Sequence, residues 1–130
     1  MWQQRTAIVV CALLAVVPAA RACTLVLTEH RSERPLARLA LDPARPTARI
    51  AFTHSVLGTP VVDHYAWRHA DGQWRAHLLQ EHFEGDGYGL PYAAGPGETM
   101  TREGDGWRLQ LDRVVHPLVV LPLPSQSMRL

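Results

Sequence analysis

Lysine is absent from this 130-residue chain: all 13 basic residues are arginine. That bias reads as genome composition rather than as a functional code, but the charge balance it leaves is informative. The formal net charge is +1, and beyond residue 22 there are 11 arginines against 12 acidic residues. A nucleic-acid footprint needs a basic stripe, and this balance argues against one. Cysteine is nearly absent as well. Cys11 lies in an N-terminal apolar run, and Cys23 is the single thiol beyond it, so no internal disulfide is expected. No apolar run reaches the ~20 residues of a spanning helix. The spacings of an EF-hand, of a phosphate-binding P-loop and of a paired metal-ligand set are all missing.

What is present at the N-terminus has the form of an export signal. One arginine, Arg5, precedes an unbroken apolar stretch from Ala7 to Val17, which Pro18 ends. Ala20 and Ala22 then supply small residues at −3 and −1 of a cleavage site. The expectation is a signal peptide over 1–22, and one domain over 23–130 that is periplasmic or otherwise extracytoplasmic, with no membrane span. A lipid anchor at Cys23 would call for a Leu-like residue where Ala20 stands and a small one where Arg21 stands, so plain cleavage is expected. The remaining 108 residues suffice for one modest core.

Turn signals recur at short intervals along that domain. They include Asp42-Pro43, Gly58-Thr59-Pro60, Asp71-Gly72, Gly85-Asp86-Gly87, Gly95-Pro96-Gly97 and Gly104-Asp105-Gly106. Few segments between them could hold a three-turn helix, so the pattern predicts an all-β fold: a small antiparallel meander, a sandwich or a partly open barrel. Strands are expected at 24–28, 36–41, 49–55, 61–68, 73–83, 99–102, 107–111 and 118–121, with a short one at 128–130. A helix over 73–83 is the main competitor, and the preceding Asp-Gly pair favours a hairpin instead.

Side chains alternate faces along a strand, so the hairpins can be registered by keeping large apolar residues together. A four-residue loop at 57–60 places His54 opposite Asp63 and Phe52 opposite Tyr65. A two-residue turn at Asp71-Gly72 then sets Tyr65 opposite Leu78, Asp63 opposite Gln80 and Val61 opposite His82. His54, Asp63, Gln80 and His82 gather at one end of a sheet face, with Tyr65 beside them, as a candidate ligand-binding group. A facing His–Asp pair fixes the imidazole tautomer and favours its charged form. It also serves simply to tie a hairpin end. Ser55 points away from His54 on an extended strand, so the two do not make a nucleophile and base. No catalytic residue, metal ligand set or cofactor is assigned. Gly87, Gly89, Leu90 and Pro91 are read as a structural loop whose glycines permit positive φ.

The stretch Phe52-Thr53-His54-Ser55-Val56, the pair Thr59-Pro60, Asp63, Tyr65 and the element Gly87-Tyr88-Gly89-Leu90-Pro91 together resemble the hallmark of domain-of-unknown-function family 1850. Trp107, Arg113 and His116-Pro117-Leu118 continue the resemblance toward the C-terminus. It implies a small exported protein of a kind often found beside TRAP transporters of the TAXI subclass, whose subunits or solute-binding protein would be partners. It brings no activity and no catalytic residue. The function expected is therefore an extracytoplasmic accessory or binding module associated with such a transport system. The alternative is a small ligand- or metal-binding enzyme built on His54 and Asp63.

Overall fold

Short alternating segments between glycine- and proline-marked turns leave little room for helices. In the computed structural model, which describes residues 21–130, they form seven antiparallel strands and one 3-10 turn, Pro124–Gln126. The expected signal peptide lies almost wholly outside the described residues. The strands are β1 (Cys23–Thr28), β2 (Pro35–Leu41), β3 (Thr47–Thr53), β4 (Pro60–Ala70), β5 (Gln73–Phe83), β6 (Thr99–Glu103) and β7 (Gly106–Val115). β1 and β2 form a separate hairpin, and the rest make an open five-stranded sheet of order β3-β4-β5-β7-β6. The all-β antiparallel reading holds, and the sheet does not close into a barrel. Segment 118–121 is not a strand, and segment 128–130 contributes only a bridge between Arg129 and Ala51 on the outer edge of β3.

Asp71 and Gly72 both take positive φ, 53° and 74°, as a two-residue hairpin turn of the primed type requires. That turn, with pairing to β4 and β7 on its two sides, settles residues 73–83 as a strand rather than a helix.

Two expected registers change. The β3–β4 connection is longer than four residues: Thr53 pairs with Pro60, Phe52 with Val61 and Ile50 with Asp63. His54 therefore belongs to the loop and does not face Asp63, and Phe52 does not face Tyr65. The physical reason is that residues 54–59 close on their own hydrogen bonds, with the His54 N–H donating to the Thr59 carbonyl at 2.8 Å and the Gly58 N–H to the His54 carbonyl at 2.9 Å. In the β4–β5 hairpin the expected pairing holds from the turn to Tyr65 and Leu78. Leu79 is then an extra residue, and beyond it His64 pairs with Gln80 and Asp63 with Glu81. A one-residue bulge reverses every side chain after it. Gln80 and His82 therefore lie on the opposite face from Asp63.

The inward face carries the core. Val61, Phe83, Leu109 and Leu111 form one buried cluster, against which Leu90, Met100 and Trp107 pack. Ile50, Tyr65 and Ala76 form a second, covered by Leu118 and Met128 from the C-terminal segment. Phe52 and Leu78 touch both clusters. The C-terminal segment is anchored to β3 by reciprocal hydrogen bonds between Ala51 and Arg129, at 2.9 and 2.8 Å. The outward face is polar: Arg68 and His77 bind Asp112, each at 2.7 Å, and His82 and Arg108 approach Glu103.

Candidate functional site

Residues 54–59 and 84–98 are the loops beyond β3 and β5, and the strand ends bring them together. The His54 side chain joins them. Its Nδ1 accepts the N–H groups of Val56 (3.2 Å) and Leu57 (3.1 Å), which requires Nδ1 to be unprotonated. Its Nε2 then carries the proton and donates it to the Tyr88 carbonyl at 3.1 Å. A second link runs from the Thr59 hydroxyl to the Glu84 carbonyl at 2.9 Å. The loops also pack closely. A Cβ on Gly85 would sit 3.0 Å from Leu57 Cδ1, and the φ of +90° at Gly85 is one that other residues rarely adopt.

The second loop holds an unusual backbone. Gly87, Tyr88 and Gly89 all have positive φ, at 75°, 51° and 87°. For a tyrosine this left-handed conformation costs roughly 1–2 kcal/mol, and such strain collects at functional positions. Tyr88 is 70% exposed, Tyr92 91% and Val56 60%, so both interlocked loops hold large side chains in solvent. Leu90 turns inward onto the core.

On the inward face of this end of the sheet, between the two core clusters, lies a partly buried acid. Asp63 faces Glu81 across the strands, accepts a long hydrogen bond from the Tyr65 hydroxyl (3.5 Å), and leaves its Oδ1 buried without a partner. Burial, and then the charge of Glu81, push its carboxyl up to about 7. Glu81 is also raised by burial, against the opposing pull of Arg113. Burial raises the Tyr65 phenol too. Arg113 forms a two-pronged pair with Glu98 (2.8 and 2.6 Å), which holds Glu98 below the usual carboxylate range. Asp63, Glu81, Arg113 and Glu98 thus influence one another in succession from β4 to the 84–98 loop.

Residues 49–130 match a family described as a domain of unknown function (DUF1850). The chain belongs to that family. No curated protein and no solved structure matches the chain. In this DUF1850 domain His54 and Thr59 interlock the two loops through the Tyr88 and Glu84 carbonyls, and β1 and β2 lie outside the matched region.

The five residues expected as one ligand group are therefore divided among three places. His54 lies in the loop lock. Asp63 and Tyr65 lie together on the buried face. Gln80 and His82 lie on the outward face, where they touch each other and His82 stacks near His64 with ring centroids 5.4 Å apart. Among the described residues no group of three or more metal-type side chains forms. Sequence reasoning missed Glu81 as the partner of Asp63, because the Leu79 bulge leaves no mark in the residue types. It also missed the exposed Tyr88 and Tyr92, for which two tyrosines in a glycine-rich loop were an available signal.

Proposed function

We propose that this DUF1850 protein is an extracytoplasmic accessory module that recognises a protein partner through the 54–59 and 84–92 loops, the partner being a component of a TAXI-type TRAP solute transport system. The observation that supports recognition is the loop pair itself. Hydrogen bonds from His54 and Thr59 fix two loops, and these hold Val56, Tyr88 and Tyr92 exposed. Tyrosine is enriched where proteins bind one another, since it offers a large amphipathic surface and little rotamer entropy to lose. Loops fixed in advance lose less freedom on binding. The transport association rests on the family resemblance and the export-type N-terminus. The enzyme alternative built on His54 and Asp63 loses its geometry, because both ring nitrogens of His54 are engaged in the loop lock and Asp63 pairs elsewhere.

The test is capture of transporter subunits or solute-binding protein from detergent-solubilised envelopes with the tagged protein. Capture is expected from the parent protein and is expected to fail with Tyr88→Ala/Tyr92→Ala. Equal capture by both would remove the reading.

A further inference from the structure

The opposite end of the sheet offers a different surface. There the Asp71-Gly72 turn carries Trp67, His69 and Trp74 on the inward face, with Trp74 50% exposed and the His69 ring against its edge at 5.2 Å. Facing them is the β1–β2 hairpin. Its inner side is apolar: Cys23, Leu25 and Leu27 pair with Leu41, Leu39 and Ala37. The hairpin makes little contact with the other strands. Instead a half-open cleft of about 750 Å3 separates the two, walled by Leu25, Leu41, Pro43, Trp67 and Trp74. A two-stranded hairpin is marginal in water by itself, and this one holds an apolar face toward a gap. The volume is within the range of small-molecule sites, which combine apolar walls with a few polar groups that orient the ligand. Among the lining side chains Arg21 and His69 are the basic ones, and no carboxylate is present.

We propose that this cleft binds an anionic amphiphile with a single alkyl chain, of the fatty-acid class, its chain between the leucines and the tryptophans and its carboxylate toward Arg21 and His69. Cleavage before Cys23 would remove Arg21 and leave a new α-amino group in its place, so a basic group stays at the mouth in either form. The site is independent of the loop pair, which lies at the other ends of β4 and β5.

The experiment is a fluorescence titration of the purified protein, reading tryptophan emission, with dodecanoate and with dodecyltrimethylammonium, both below their micellar concentrations. Dodecanoate is expected to saturate with a Kd in the micromolar range and to bind at least ~10-fold more tightly than the cation, a difference of about 1.4 kcal/mol. Leu25→Glu, which sets a carboxylate on the wall, is expected to abolish binding. Trp74→Ala, at a half-exposed position beside a turn, is expected to weaken it several-fold while the circular dichroism stays that of the parent. The proposal is overturned by the absence of saturable binding, by equal binding of the two amphiphiles, or by unchanged affinity in both variants. Flotation with phosphatidylglycerol vesicles in place of dodecanoate binding would overturn it too, by assigning the face to a membrane surface.

Discussion

His54 acts through two nitrogens with different duties, and this makes its role separable by substitution. Alanine frees the N–H groups of Val56 and Leu57 and the carbonyl of Tyr88, and each lost hydrogen bond is worth about 0.5–1.5 kcal/mol. Asparagine places an oxygen near the position of Nδ1 and can accept the same two N–H groups, as it does in turns of this type. It cannot reach Tyr88. The expected order of stability in urea melts is parent, then His54→Asn, then His54→Ala, with the alanine variant about 1–3 kcal/mol below the parent. An asparagine variant no better than alanine would show that Nδ1 contributes nothing. Asp63 behaves in the opposite sense. Its folded pKa of about 7 lies above the ordinary 3.8, so the folded protein holds a proton that the unfolded chain releases. Stability from this group is fully present below about pH 4, falls as pH rises, and is lost above about pH 7. Glu81 adds to that trend, whereas His64, lowered by burial and by the charges of His82 and Arg49, removes stability as pH falls below its ordinary value. Comparing the parent with Asp63→Asn isolates the aspartate. The variant is expected to melt close to the parent at pH 4 and to be more stable at pH 8, by on the order of 1–3 kcal/mol. A variant less stable than the parent at pH 8 would contradict the buried-acid account.

The β4–β5 hairpin shows what alternation can and cannot reveal. Asp71-Gly72 named its own turn, and the pairs from there to Tyr65 and Leu78 follow from keeping Trp67, Tyr65, Ala76 and Leu78 on one face. Leu79 broke the inference because leucine suits either face, and nothing in its neighbours marks an extra residue. Its cost in the register was large: Gln80 and His82 moved outward, and Glu81 and Phe83 moved in. The β3–β4 loop was misread for a related reason. Extending strand pairing through His54 and Ser55 satisfies the apolar pattern equally well, and the hydrogen bonds that close residues 54–59 on themselves, backbone and His54 side chain alike, leave no mark in that pattern. Deleting Leu79 removes the extra residue and leaves His64 opposite Gln80 and Asp63 opposite Glu81, so His82 stays outward and Phe83, 3% exposed, stays in the core. The deletion variant is therefore expected to keep a cooperative thermal melt close to that of the parent. An unfolded deletion variant would contradict the reading of Leu79 as the extra residue between two correctly faced halves of the strand.

Taken as one body, the molecule has an open sheet with one polar face and one covered face, and its two ends differ. At one end His54 and Thr59 lock two loops that leave Val56, Tyr88 and Tyr92 exposed. At the other an apolar hairpin from outside the family region faces two tryptophans across a cleft. As proposed above, the loop end recognises a partner, and His54 and Thr59 serve that surface rather than a catalytic centre. The most direct measurement is solute uptake by cells whose only copy carries Tyr88→Ala/Tyr92→Ala, read beside the amount of protein exported and its melting temperature. Both tyrosines are exposed, so the fold is expected to keep its stability while uptake falls to the level of cells lacking the protein. Uptake equal to that of the parent, at equal protein level, would contradict the account.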